Sequence, residues 1–310
     1  MPPVRWLVDG LIKDRGVAML YGETGTMKSY STIDLACRMV NGMTFHGRRM
    51  TQGEVVYIVG EAEDEAKERI DSWTRYYGLT EPEQRPLLQP WAMDITSTQQ
   101  MATLTELVNG FGGSIKLIIF DTLSDCTAGL RLNDPDEVGE RLKPAILSLA
   151  RATRAAVLMV HHTGHNQYHE RGARILRDMT DTTIRVSKQR NNVRWKIEKL
   201  RRAQAGTELN FRVVDVSRQV DMDNMALLLP IHDDEVEEKA PTPPSKTNAE
   251  LLTEYVILHP GVPFKDAARA LGWFNTTTEK ATSSYYAAIG QADVLKDEGR
   301  LYPLDPGAAV

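Results

Sequence analysis

The sequence predicts an α/β fold: a mainly parallel, twisted sheet with crossover helices, followed by a small helical module. Three observations carry that prediction. Short apolar runs alternate with helical stretches through roughly the first half of the chain. A glycine-bearing segment at 22–29 joins the first of these runs to the first helix. Residues 232–248 turn acidic and then proline-rich, the composition of a linker, and three short helical segments follow them. A length of 310 residues accommodates one large domain and one small one, placed at 1–231 and 249–310.

The elements follow in order. Residues 17–21 form an apolar run ending at Gly22, which suits a buried strand. From Ser29 onward, Ile33, Leu35, Ala36, Met39 and Val40 recur at helical spacing until Asn41-Gly42 stops them. Residues 54–59 read as a second buried strand, 62–77 as a charged helix carrying Ile70, Trp73 and Tyr77, and 102–109 as a further helix. A third strand at 116–120 ends at Asp121, and a long helix over 136–153 leads to a fourth strand at 155–160. The texture then changes. Residues 182–187, 193–199 and 209–214 alternate polar and apolar, as antiparallel hairpins added to one sheet edge would. In the small module, helices are expected at 249–259, 264–271 and 276–289, with a small wing at 301–304.

Composition narrows the function classes. A net charge of −5 gives no global attraction to nucleic acid, so any such binding must rest on a local basic patch. Cys37 and Cys126 have no metal-ligand spacing and are expected to be reduced thiols. No apolar run reaches the ~20 residues that span a bilayer, and the first residues lack a signal-peptide pattern. A soluble cytoplasmic protein, with no membrane partner, is therefore expected.

The chemistry concentrates at 22–29, Gly-Glu-Thr-Gly-Thr-Met-Lys-Ser. A loop that holds a polyphosphate needs small residues, so that backbone N–H groups converge on the β-phosphate. It also needs a lysine for the β/γ oxygens, a Ser or Thr for Mg²⁺, and a helix N-terminus behind it. Gly22, Gly25, Lys28 and Ser29 fill these roles, and Glu23, Thr24, Thr26, Met27 and Tyr30 complete the expected ATP-binding set. Met27 stands where the consensus has glycine, the residue favoured where φ is positive.

Acids and histidines end the neighbouring strands. Asp121, after Leu117-Ile118-Ile119-Phe120, suits the carboxylate that shares the Mg²⁺ shell with Ser29. Glu61, after 55–60, is placed to orient or deprotonate the attacking water, whereas Glu63, Asp64 and Glu65 read equally as a solvated helix face. His161, with His162, ends the fourth strand, where a polar residue senses the γ-phosphate; a satisfied structural histidine is the alternative. His165 and His169 lie close by, but no cysteine or paired carboxylate completes a zinc set.

With these residues assembled, the sequence resembles the RecA-like P-loop ATPases of the DnaB and RepA replicative-helicase group, especially its phage and plasmid RepA-like branch. The likeness rests on 22–29, on Tyr-Ile-Val-Gly-Glu at 57–61, on Ile-Ile-Phe-Asp-Thr at 118–122 and on Val-His-His-Thr-Gly at 160–164, in order over about residues 15–215. A bulky residue before the loop lysine is familiar in that branch. Lys199-Leu200-Arg201-Arg202, with Gly206 downstream, resembles the family's Lys-x-Arg element, whose basic pair reaches the neighbouring subunit's site. The resemblance implies that Lys199 and Arg201 act in trans, with Arg202 as an alternative register and a solvated basic strand as the bland reading. It also implies a RecA-like core, Mg²⁺-dependent ATP hydrolysis, a homo-hexamer with active sites at subunit interfaces, and replicative helicase work on single-stranded DNA in a bacterial, plasmid or phage-infected cell. Recombination or annealing ATPases share this core, as do nucleotide-binding regulators.

Residues 185–212 hold nine Lys/Arg against Glu198 and Glu208, a local excess for phosphate of ATP or of nucleic acid. Arg171 and Arg174 fall in a stretch, 164–174, that reads as a polar loop; the resemblance makes them candidate DNA contacts, against a merely solvated loop. The segment 264–272 matches the first helix and turn of a helix-turn-helix or winged-helix unit. Yet residues 249–310 carry eight acids and five bases, so docking of a replication or recombination partner is at least as good a reading as duplex binding.

Overall fold

A computed structural model describes residues 4–60, 62–79, 85–89, 93–162, 170–231, 248–271, 274–275, 280–281, 289, 294–297 and 299–304. The chain divides into two compact units, Met1–Glu235 and Val236–Val310. Residues 232–247, most of the expected linker, lie outside the described residues.

In the first unit, β1 (Trp6–Val8) and β2 (Ile12–Lys13) form a short antiparallel ladder. Then come β3 (Val17–Gly22), α1 (Lys28–Val40), β4 (Glu54–Val59), α2 (Glu63–Tyr76), β5 (Leu87–Gln89), α3 (Thr98–Gly110) and β6 (Ile115–Asp121). After α4 (Pro135–Glu137), a π-helical turn at Val138–Leu142 runs into α5 (Lys143–Thr153). The series closes with β7 (Ala156–His162), α6 (Glu170–Met179), β8 (Thr182–Gln189), β9 (Asn192–Leu200), β10 (Glu208–Asp215), α7 (Ser217–Val220) and β11 (Ala226–Ile231).

Nine strands make one sheet in the order β11-β10-β9-β8-β3-β7-β6-β4-β5. From β8 to β5 every pair is parallel; β8 to β11 pair antiparallel and extend one edge, as the alternating sequence implies. Strand residues alternate between two cores. Leu20, Tyr57, Ile119 and Leu158 face α1 and α2. Met19, Ile58, Phe120 and Met159 face α3, α5 and α6. Because the central strands are parallel, their C-terminal ends share one end of the sheet, where the crevice of an open α/β fold holds ligands.

Three expectations need correction. The single helix expected over 136–153 is broken by the π turn, because Pro144 has no N–H to continue the α-helical ladder and the backbone widens just before it. Residues 170–174, read as loop with Arg171 and Arg174, begin α6: Ile175, Leu176 and Met179 supply its apolar spacing, and Leu176 and Met179 are buried under the sheet. Residues 163–169 lie outside the described residues. The short strands β1, β2, β5 and β11 are additions to the elements that the sequence predicts.

The second unit contains α8 (Asn248–Leu258), β12 (Val262–Pro263), α9 (Phe264–Ala270), β13 (Phe274–Asn275), β14 (Lys280–Ala281), β15 (Val294–Asp297) and β16 (Arg300–Pro303). Strands β12, β16 and β15 form an antiparallel sheet over Leu252, Val256, Ala267, Ala268, Val294 and Leu301. The third helix expected at 276–289 fails at Lys280–Ala281, which pair with β13; most of that span lies outside the described residues. Residues 301–304 belong to, or directly follow, the second strand of the β15–β16 hairpin.

Candidate functional site

The loop after β3 is built by close backbone approach. Gly22 ends the strand with no room for a side chain: a Cβ there would lie 2.4 Å from the Val186 carbonyl oxygen of β8. Gly25 turns the loop at φ +79°. Thr26 closes it, its hydroxyl donating to the Glu23 carbonyl at 2.8 Å. Met27 occupies the N-cap position of α1 with φ 67° and ψ 30°, so the chain keeps the left-handed geometry of the consensus glycine without the glycine. Its side chain is half-buried against the core under α1.

This geometry leaves the N-terminus of α1 available to an anion. No side chain caps it and its first turn holds no acid. The first N–H groups of a helix have no partners within it, and they carry the positive end of its dipole. Lys28 points into the same space. Its ammonium is buried and donates to the Gly22 carbonyl at 2.9 Å and to the Glu23 carbonyl at 2.7 Å. Burial pulls its pKa down to about 8, opposed by the negative charge of Asp121.

Asp121 ends β6 on the α1 face of the sheet and is 7% exposed. Tyr57, from the adjacent strand β4, donates its hydroxyl to Asp121 Oδ2 at 2.5 Å, and Thr32 Oγ1 of α1 lies 2.7 Å from the same hydroxyl. Burial raises the Asp121 pKa, while the Tyr57 hydrogen bond and the nearby Ser29 hydroxyl favour the carboxylate. Asp121 Oδ1 nevertheless makes no close hydrogen bond, although it is buried. An orphaned carboxylate oxygen beside a serine hydroxyl and a phosphate loop is the donor set that a hard divalent cation such as Mg²⁺ requires, so these residues fit that ion.

His161 and His162 end β7 beside β3, in register with Tyr21 and Gly22. His162 is the one that meets the loop, its Nδ1 lying 3.5 Å from Thr24 Oγ1. His161 is more deeply placed, and its Nδ1 is buried with no hydrogen-bond partner. Burial first, then His162 and Lys28, bring its pKa down to about 4, so its imidazole is neutral at pH 7.

Glu61 lies outside the described residues, but its surroundings do not. Gly60 donates its N–H to the Asp121 carbonyl at 2.8 Å, and a Cβ on Gly60 would meet Asp125 Cβ at 2.4 Å. Asp125 accepts the Thr122 hydroxyl and adds negative charge beside His162. Two groups near the loop escape sequence reasoning altogether. Tyr57 reads as one apolar position of a buried strand. Arg69 of α2 stacks over the Tyr30 ring at 4.5 Å and favours the charged form of Asp121; the helical spacing of 62–77 could have shown only that it shares a face with Glu65, its ion-pair partner.

The structure does not bring Lys199 and Arg201 to the loop of their own chain. Lys199 pairs with Thr183 and Arg201 donates its N–H to the Asp181 carbonyl, at the level where β3 begins. That level is ~10–17 Å along the strands from Gly22. Both side chains rest on the C-terminal end of α6: Lys199 Nζ donates to the Arg177 carbonyl, and Arg201 donates to the Asp178 carbonyl at 2.6 Å. Burial, then Arg201, lowers the Lys199 pKa. Arg171 and Arg174 lie on the first turns of α6. Among the described residues no cluster of His, Cys, Asp and Glu could hold a metal by itself, no helix is long and apolar enough to cross a membrane, and Cys37 and Cys126 are buried free thiols.

Comparison with known proteins adds a sequence family and a shared fold. The family described as AAA domain matches residues 1–168. No curated protein sequence matches the chain. Among solved structures, the ATPase domain of a DnaB-like helicase superposes with a TM-score of 0.52 at 10% identity, covering 71% of this chain and 86% of that one. The RadB recombinase gives a TM-score of 0.47 at 14% identity, over 65% and 88% of the two chains.

Proposed function

The chain belongs to the AAA domain family and is a P-loop ATPase of RecA-like fold, and from that premise we propose that it is a ring-forming motor acting on single-stranded DNA, a replicative-type helicase. The observation that carries the nucleotide reading is the loop itself. An ammonium held by two loop carbonyls, an uncapped helix N-terminus and a buried aspartate with one unpaired oxygen all face one space.

In this reading the triphosphate lies along 22–30. The Lys28 ammonium exchanges the Gly22 and Glu23 carbonyls for β- and γ-phosphate oxygens, which raises its pKa again. Ser29 and Asp121 hold Mg²⁺, whose charge, when bound, offsets that developing on the phosphates. Tyr57 fixes the Asp121 carboxylate so that its free oxygen points at the metal position. Glu61 orients and deprotonates the attacking water. Loss of the γ-phosphate is sensed at the end of β7, where His162 touches the loop and the neutral His161 backs it.

Lys199 and Arg201 act across a subunit interface. Their distance from the loop of their own chain supports a trans role, since in cis they would have to cross half the height of the sheet. A ring, most simply a hexamer, follows from that arrangement, with Arg171 and Arg174 as candidate DNA contacts and the second unit as a docking module for a replication or recombination partner. Steady-state ATPase assays with and without single-stranded DNA test the reading. Arg201→Ala is expected to lose turnover while retaining nucleotide binding, and mixing it with Glu61→Gln protein is expected to restore part of the activity. Normal turnover by Arg201→Ala alone would remove the trans role.

A further inference from the structure

At the end of the sheet opposite the phosphate loop, the chain forms a cavity of about 530 Å³ lined by Arg5, Trp6, Arg15, Lys116 and Arg154, among others. It sits where the central parallel strands begin. Arg15 immediately precedes Gly16 and β3, Lys116 opens β6, and Arg154 precedes β7. The six residues of β3 put ~20 Å between this end and the phosphate loop.

The charge of the cavity runs against that of the chain. Four cations face one acid, Asp14, on a protein whose net charge is −5. Two of the cations are engaged: Arg15 Nε lies 3.6 Å from Asp14, and Lys116 Nζ donates to the Gly113 carbonyl just beyond α3 at 2.7 Å. The guanidinium groups of Arg5 and Arg154 are exposed and form no hydrogen bond or ion pair among the described residues. An offset of helix dipoles explains Lys116 beside α3, and Arg154 at the end of α5, but not Arg5 and Arg15, which enter from the amino-terminal ladder. The remaining feature is Trp6, an indole left half-buried in the cavity wall.

We infer that this cavity is a second binding site, separate from the phosphate loop, that takes one or two nucleotides of a single strand of nucleic acid, with a base stacked on Trp6 and the flanking phosphates on Arg5 and Arg154. A flat aromatic face combined with converging cations is the chemistry that binds single strands without regard to sequence. A bare anion would use the cations and leave the indole idle. The volume suits a mononucleotide unit, lying within the ~300–1,000 Å³ usual for small-ligand sites. The site stands on its own residues and requires neither a ring nor helicase work.

The test is fluorescence anisotropy of a labelled oligo(dT) titrated with the full chain in the absence of ATP, competed with dTMP or with inorganic phosphate. Wild-type protein is expected to bind, with affinity falling about 7- to 20-fold between 50 and 200 mM salt if two or three phosphates are neutralised. Arg5→Glu with Arg154→Glu is expected to weaken binding at least tenfold and to flatten the salt dependence, leaving the basal ATPase rate unchanged. Trp6→Phe is expected to retain most binding and Trp6→Ala to lose about tenfold or more. Competition by dTMP well ahead of phosphate identifies a nucleotide site; equal competition by phosphate overturns the stacking role. Oligonucleotide binding that is absent, or unaltered by the double arginine variant, overturns the inference. DNA-stimulated ATPase activity that survives the variant leaves the motor reading standing while this site falls.

Discussion

Replacing Tyr57 by phenylalanine removes one hydroxyl from the interior of the molecule and tests how Asp121 is held. Tyr57 is 1% exposed and its hydroxyl is 2.5 Å from Asp121 Oδ2, so no water can take its place without displacing packed atoms. A hydrogen bond to a charged acceptor contributes about 1.5–3 kcal/mol, and this one serves a carboxylate whose other oxygen is already unpaired. The expected loss is therefore ~2 kcal/mol, or ~4–8 °C in the melting temperature of a unit this size. The sign with pH follows from the causes of the shift. Burial raises the Asp121 pKa and Tyr57 opposes that, so Tyr57→Phe raises it further. A carboxyl with a raised folded pKa is penalised as pH rises through that value; the stability deficit of the variant should be largest at neutral pH and shrink in acid, where Asp121 is protonated. The acid limb of Mg²⁺-dependent ATPase activity should move to higher pH for the same reason. Urea unfolding and pH–rate profiles of wild type, Tyr57→Phe, Asp121→Asn and the double variant make up the assay. If Tyr57 acts through Asp121, the two losses overlap. Losses that add to within ~0.5 kcal/mol, with an unmoved acid limb, would refute the reasoning.

Further outcomes follow from the same geometry. Lys28 titrates near pH 8 when free and is held protonated by phosphate, so ATP binding should take up a proton and weaken as pH rises through 8; calorimetry in buffers of different ionisation enthalpy reads this directly. Gly22→Ala places a methyl 2.4 Å from the Val186 carbonyl and should force β8 away from β3, with a destabilisation of ~2 kcal/mol or more by chemical denaturation and loss of nucleotide binding. Met27→Gly exchanges left-handed strain of ~1–2 kcal/mol for lost side-chain packing and extra chain entropy. Its stability should stay within ~1 kcal/mol of wild type, and its ATP affinity within a few-fold.

The parts of the site that the sequence disclosed are those whose chemistry demands a fixed spacing. Gly22, Gly25, Lys28 and Ser29 must follow a strand and open a helix, and they do. Asp121 was visible because a charge directly after four apolar residues has few places to go but a strand end. Tyr57 was invisible for the complementary reason: a tyrosine in Val-Val-Tyr-Ile-Val satisfies strand packing whether or not its hydroxyl has a partner. Asp125 and Arg69 reach the loop through folds of the chain that no periodicity encodes. The register of His161 and His162 shows the same limit. Adjacent strand residues face opposite ways, and only the pairing of β7 with β3 decides that His162 meets Thr24. The loop reading of 170–174 failed because Arg171 and Arg174 hide the apolar stripe that begins only at Ile175. Strands β5 and β11 escaped because short edge strands need little sequence pattern of their own when a neighbouring strand supplies the hydrogen bonds.

Every role assigned to this end of the sheet presupposes that the loop at 22–30 holds a nucleoside triphosphate. Titration calorimetry of ATP with Mg²⁺ into wild-type protein and into Lys28→Ala measures that occupancy. One site per chain in the wild type, lost or weakened at least a hundredfold in the variant, is the predicted result. Equal heats from the two proteins, or none from either, would contradict it.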